Sequence, residues 1–300
     1  MHPFSFHPIA DGKYCFTAGR DRTVRLWNPS RLDPAHLSSS QRALPIQSYT
    51  HVHSVAAICV DSNTLVAGSG NSVVVTDLIT TTPLRTFSSH TGIVTAVTMT
   101  PNLYLSASYD GTVRLWDAKS RSWDAIQRLD EAKDSVTCVM VQGTNIRTAS
   151  VDGYVRTYDI RRGQVHCDHV GSPVVSMDLT KDEQCVVIAT LEGDLILMDA
   201  STGQLLNTYT QAHTAGKYAL QCCVTADDKY IVTGSEDGRA VLYNLVSGEM
   251  VQSLEGHVRP TCAVAAHPNR SSTSVVVTAS YDGTAVVWSH DSSFLKLDQE

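Results

Sequence analysis

No apolar run in this chain approaches the ~20 residues that a membrane helix needs, so spanning helices are not expected. The opening residues, MHPFSFHPIADG, lack both a basic n-region and an apolar h-region, and no signal peptide is expected. No Cys-x-x-Cys pair occurs among the eight cysteines. Most sit inside apolar runs (Cys15, Cys59, Cys138, Cys185, Cys222, Cys223, Cys262). That placement predicts buried free thiols in a reducing compartment rather than a zinc site or a disulfide framework. Basic residues are in deficit, 23 against 30 acidic ones for a net charge of −7. A nucleic-acid binder needs a basic stripe to neutralise phosphates, so direct nucleic-acid binding is not expected. No G-x-S-x-G elbow occurs, and Gly68-x-Gly70 lacks the third glycine and the following helix of a dinucleotide fingerprint. No cofactor and no metal are expected.

What is present is a repeat. SASYDGTVRLWD (106–117) returns as TASYDGTAVVWS (278–289), 172 positions later. Copies lie at TAGRDRTVRLWN, AGSGNSVVVTD, TASVDGYVRTYD, IATLEGDLILMD and TGSEDGRAVLYN. The position that is aromatic in most copies falls at 27, 76, 116, 158, 198, 243 and 288, in steps of 40 to 49 residues. Each unit reads as strands: Asp-Gly stands between alternating apolar runs, a hairpin signal. In the third unit the runs are 93–99, 103–108, 112–117 and 125–129. Four antiparallel strands per ~43 residues is the geometry of a propeller blade, and stacking blades buries the faces that one blade leaves open. The reading is all-β, a seven-bladed β-propeller forming a single domain. Its approximate blades are 1–49, 50–88, 89–129, 130–170, 171–212, 213–255 and 256–300.

The repeats resemble WD repeats, whose hydrogen-bonded set runs His, Ser/Thr, Asp, Trp. The third unit carries it as His90, Ser106, Asp110 and Trp116, and the last as His257, Thr278, Asp282 and Trp288. The first keeps Thr17, Asp21 and Trp27; the sixth keeps His213, Thr233 and Asp237 with Tyr243 for Trp. The fourth keeps Thr148 and Asp152 with Tyr158, and Asp130-Glu131 stand where Gly-His would. The second keeps His51 and loses the Asp, and the fifth, with Glu192 and Met198, is the most eroded. A buried Asp must be partnered or it destabilises the fold, and imidazole, hydroxyl and nearby amides can partner it. Such propellers usually draw the last blade's outer strand from the N-terminus. Here the chain begins almost inside the first inner strand (3–6), and SSFLKL (292–297) offers an alternative. The reading favours a natural N-terminus that is missing or divergent. The segment DPAHLSSSQRALP (33–45) reads as an insertion foreign to the family.

Segments in residues ~125–250, among them LDEAKDSV, SVDGYVRTYDIRRGQ, HVGSPV and KYALQCCVT, resemble the kinase-cascade organizer branch of WD-repeat scaffolds. The resemblance implies a non-enzymatic protein in the cytoplasm and nucleus. Its expected partners are mitogen-activated protein kinase cascade components or splicing factors of spliceosomal complexes, and a monomer is expected.

Residues just before the turn Asp line the rim of one face: Arg20, Ser69, Tyr109, Val151, Leu191, Glu236 and Tyr281. Tyr and Arg are favoured interface anchors, and Arg20, Tyr109, Glu236 and Tyr281 are the expected partner-binding residues. Tyr158-Asp159-Ile160-Arg161 also resembles the Trp-Asp-x-Arg box by which some WD-repeat proteins dock cullin-type ubiquitin ligase adaptors. Trp116-Asp117-Ala118-Lys119 resembles it too. A substrate receptor is therefore the alternative reading, with Tyr158, Asp159 and Arg161 as the possible adaptor box. The Ser/His/Asp grouping invites a hydrolase reading, yet it recurs between blades and a nucleophile needs no copies; no catalytic residue is expected. His166-Cys167-Asp168-His169 reads as a half-exposed outer strand. Arg147, Arg156, Arg161 and Arg162, interleaved with Asp152 and Asp159, read as a solvated, salt-bridged blade.

Overall fold

A computed structural model describes residues 4–8, 13–32, 41–210, 212–268, 275–289 and 295–298. The protein is an all-β, seven-bladed β-propeller with four antiparallel strands in each blade. Blade three shows how the sequence produces a blade. Its strands are Val94–Met99, Leu103–Ser108, Val113–Asp117 and Gln127–Leu129, paired in chain order. Val113, Leu115 and Trp116 are buried, while Arg114 and Asp117 are only partly covered, so a strand nearly without runs of polar residues faces apolar neighbours on both sides. Blades two, four, five and six repeat this four-strand sheet.

Blades one and seven share an eight-stranded sheet. Blade one contributes Phe4–Pro8, Cys15–Gly19, Thr23–Leu32 and Gln41–Thr50; blade seven contributes Thr261–Ala266, Val276–Ser280, Thr284–Trp288 and Leu295–Asp298. The last blade's outer strand thus comes from the C-terminal segment, which pairs with Thr284–Trp288. It also pairs in parallel with Gln41–Thr50 at Leu295↔Gln41 and Lys296↔Arg42. Of the segment read as an insertion, 41–45 belongs to the outer strand of blade one, and 33–40 lies outside the described residues. Residues 292–294 of the offered closing segment lie outside them too.

The chain divides into two compact units, one of Ala18–Val24 with Tyr49–Val175, the other of Met1–Thr17, Arg25–Ser48 and Ser176–Glu300. In the first, Leu105, Ala107, Val113 and Leu115 of blade three pack on Val136, Val139, Ile146 and Tyr158 of blade four. Between blades two and three, Phe87 stacks on Trp116 with ring centroids 4.7 Å apart. In the second unit, Cys223, Val232, Ala240 and Leu254 of blade six pack on Val264, Val276, Val286 and Trp288 of blade seven. Trp27 of blade one lies with Cys262, Val277 and Val287. Each fully covered Leu or Val side chain stabilises by about 1.5–3 kcal/mol relative to exposure, so the blade faces, not the turns, supply most of the cohesion. No helix among the described residues is long and apolar enough to cross a membrane.

Candidate functional site

The Asp of the hairpin turn is built into the fold from its own neighbours. Asp110 Oδ1 accepts from Thr112 N at 3.0 Å and Thr112 Oγ1 at 2.6 Å. Asp282 does the same with Thr284, at 2.8 and 2.6 Å, and Asp21 divides the task between its two oxygens on Thr23, at 3.0 and 2.6 Å. In blade three the second carboxylate oxygen of Asp110 meets His90 Nδ1 at 2.9 Å and Thr91 N at 3.0 Å. The other ring nitrogen lies 2.8 Å from Ser106 Oγ, which also accepts from Trp116 Nε1 at 3.0 Å. One proton order fits this chain: Nδ1–H donates to the carboxylate, the Ser106 hydroxyl donates to Nε2, and the indole donates to the hydroxyl oxygen. Burial alone would raise the Asp110 carboxyl, but the bonds from Thr112, His90 and Thr91 hold it at about 2. Burial lowers the His90 pKa despite the adjacent carboxylate. Blade seven repeats the chain, with His257 Nδ1–Asp282 at 3.2 Å, His257 Nε2–Thr278 at 2.8 Å and Trp288 Nε1–Thr278 at 2.9 Å.

The other blades are wired differently. Blade one keeps the Trp27 Nε1–Thr17 Oγ1 bond at 2.9 Å. In blade six His213, Thr233 and Asp237 do not form the set: His213 Nδ1 meets the Tyr243 hydroxyl at 2.8 Å, and Asp237 takes Arg239 Nε at 2.7 Å. Tyr carries a hydroxyl where indole would carry N–H, so the histidine pairs with it directly. In blade four Asp152 forms a buried ion pair with Arg156 at 2.7 Å, and Glu131 accepts from the Tyr158 hydroxyl at 2.9 Å. Arg147 and Arg156 are each 4% exposed, so the solvated reading of that arginine run holds only for Arg161 and Arg162. Two-residue alternation failed here because Arg156 turns inward to meet Asp152. In blade two no acid stands at the turn, and the buried His51 Nε2 has no hydrogen-bond partner among the described residues. In blade five Glu192 is exposed, Met198 is buried, and Thr190 Oγ1 accepts from Asp194 N.

The proposed rim residues fall into different surroundings. Tyr109 is 36% exposed. Tyr281 packs on Tyr218 with ring centroids 5.0 Å apart, and Glu236 Oε1 accepts from Lys217 N and Tyr218 N. Glu236 therefore anchors the loop that presents Tyr218, a residue that repeat spacing did not single out because it lies outside the hairpins. Ser69 is buried and bonds His53, so it does not line a rim; Gly70 stands there. Arg20 lines an open depression with Arg22, His53 and Asn71.

The adaptor-like box is half exposed, with Tyr158 its buried member. Tyr158 is 7% exposed and committed to Glu131. Asp159 Oδ1 accepts from Arg161 N at 2.9 Å and Arg162 N at 3.0 Å, leaving Ile160 and the Arg161 side chain exposed. The same turn recurs at Asp77, Asp117, Asp199 and Asn244. The Asp or Asn that ends the third strand of these blades is thus a turn former in the sense of an Asx-turn. His166 Nε2 pairs with Asp168 at 3.0 Å on an exposed outer strand, and no metal-binding cluster occurs among the described residues. Cys15, Cys222, Cys223 and Cys262 are buried, whereas Cys59, Cys138 and Cys185 are partly covered and Cys167 is exposed. Asp178, missed from the sequence, accepts from Val224 N at 2.8 Å and so ties the inner strands of blades five and six; burial raises its pKa.

Comparison with known proteins agrees with this geometry. The family described as WD domain, G-beta repeat matches residues 5–28, 81–117, 203–244 and 248–289. The chain is a propeller whose repeats are similar to those of that family. The chain is 40% identical over 150 residues to WD repeat domain-containing protein 83 of Rattus norvegicus, covering 50% of this chain and 47% of that protein. It spans about half the length of the mammalian relatives it matches. A homolog of the same protein in Dictyostelium discoideum is 27% identical over 310 residues, covering 93% of this chain and 92% of the relative. Autophagy-related protein 16 of Arabidopsis thaliana is 24% identical over 252 residues, 82% of this chain and 48% of that protein.

Proposed function

We propose that this protein is a non-catalytic interaction scaffold of the cytoplasm and nucleus, gathering kinase-cascade components or splicing factors on its hairpin face. One observation carries the non-catalytic part. The His90, Ser106 and Asp110 chain has the connectivity of a hydrolytic triad, but Ser106 is fully buried and its oxygen already accepts the Trp116 indole. A nucleophile must reach substrate; this hydroxyl reaches only its own blade. The similarity to WD repeat domain-containing protein 83 supports the scaffold reading, and a fold by itself names no partner.

Affinity purification with mass spectrometry tests the reading. Kinase-cascade or splicing proteins should be recovered with the native chain and depleted by Tyr109→Ala combined with Tyr281→Ala. Unchanged recovery in the double variant removes the tyrosines from the binding face. Recovery of a cullin adaptor that Arg161→Ala abolishes replaces the scaffold reading with the substrate-receptor one.

A further inference from the structure

The weakest repeat leaves an opening that the others fill. In blade three, Ala107 pairs with Val113, and Tyr109, Asp110 and Gly111 form the hairpin tip. In blade two, Ser69 pairs directly with Ser72, leaving a tip of Gly70 and Asn71 alone. Gly70 takes the place of Tyr109: Gly70 N donates to Ser54 O at 3.1 Å, as Tyr109 N donates to Ile93 O at 2.9 Å, each just ahead of an inner strand. A side chain there would be strained. The Gly70 φ is +59°, and a Cβ would lie 3.0 Å from the Cβ of His53. Blade two therefore offers neither a rim side chain nor a turn carboxylate.

What surrounds the gap is basic. Arg20 and Arg22, from the hairpin tip of blade one, line an open depression of about 560 Å³ with His53, Asn71 and Ile93. Among the described residues no acidic side chain lines it. The carboxylate of Asp21, between the two arginines in sequence, bonds Thr23 N and Oγ1. Neither the Arg20 nor the Arg22 guanidinium has a partner among the described residues. Two such arginines are notable in a chain with seven more acids than bases. Guanidinium groups favour carboxylates, which they hold with paired, charge-assisted hydrogen bonds. Ile93, 45% exposed, adds one apolar contact beside them.

We infer that this depression seats an acidic side chain, Asp or Glu, of a peptide segment in a protein partner, with an adjacent apolar side chain against Ile93. The inference deepens the scaffold reading and rests on it. Its test applies the full chain to immobilised degenerate peptide pools that share flanks and differ in a fixed core: Glu-Leu, Lys-Leu or phosphoserine-Leu. The Glu-Leu pool should retain the protein about tenfold better than the Lys-Leu pool, and Arg20→Ser with Arg22→Ser should remove that preference. Asn71→Asp, which places a competing carboxylate in the depression, should weaken retention as well. All three positions are exposed, so thermal melting should be unchanged and the loss attributable to binding. Equal retention of Glu-Leu and Lys-Leu pools overturns the inference, as does a preference that survives the arginine substitutions. Retention of the phosphoserine pool alone replaces the carboxylate with a phosphorylated residue. Failure here leaves the tyrosine-dependent recovery of partners untouched, so the two readings fail separately.

Discussion

Replacing Asp110 by Ala tests the reasoning most directly. The substitution removes the acceptor of four donors at once: Thr91 N–H, Thr112 N–H, the Thr112 hydroxyl and the His90 Nδ1–H. The carboxylate side chain is 8% exposed and His90 1%, so water replaces these partners poorly. Stranding buried partners costs about 1–3 kcal/mol each when water cannot substitute, and partial relaxation brings the expected total to about 3 kcal/mol. The same bonds hold the carboxyl below its ordinary 3.8, at about 2, so the fold favours the charged form. The sign follows: a carboxyl depressed by folding stabilises above pH ~4 and loses that contribution as pH falls through about 2. Urea denaturation at neutral pH should show the loss, and Glu192→Ala, at the exposed equivalent turn of blade five, should fall within about 0.5 kcal/mol of the native chain. His90→Ala and Asp110→Ala should be strongly non-additive, because each removes the same bond. Additive effects, or a change under about 0.5 kcal/mol for Asp110→Ala, would falsify the account of the hydrogen-bonded chain.

Four further outcomes follow. His90 favours its neutral form in the fold because burial lowers its pKa; stability should therefore begin to fall as pH drops below the ring's ordinary 6.5, and His90→Gln should flatten that part of a pH–stability curve. Arg156→Ala leaves the Asp152 carboxylate buried without its ion pair, so it should cost about 3 kcal/mol in denaturant titration, and a cost below about 0.5 removes the pair from the stabilising set. Gly234→Ala drives a Cβ into the Thr261 carbonyl oxygen; about 2 kcal/mol or more of destabilisation should appear as a lower melting temperature, and an unchanged one contradicts the close approach. Cys167 is the exposed thiol, while burial pushes Cys15 to about 12. A thiol reagent should consume Cys167 first, with Cys15 reacting only on unfolding. A fast phase that survives Cys167→Ser contradicts that order.

The sequence by itself determined the blades. Period and alternation are local properties, and a hairpin with Asp and Gly at its tip closes on its own neighbours whatever the rest of the chain does. Hence the strands expected at 103–108 and 112–117 differ by at most one residue from Leu103–Ser108 and Val113–Asp117. Complete copies such as His90, Ser106, Asp110 and Trp116 were legible because the pattern that identifies them is also the pattern that bonds them. Eroded copies were not: His213 faces Tyr243, and Asp152 takes Arg156, because a lost partner is replaced by whichever side chain lies nearest in space. Tertiary structure alone decided those substitutions. It also decided the inward turn of Arg156 and the strand that Leu295–Asp298 adds to blade seven. The depression beside Gly70 belongs with them. A missing side chain leaves no mark in a repeat pattern except a poor match; only the packing of neighbours shows that the space is open and that two arginines face it.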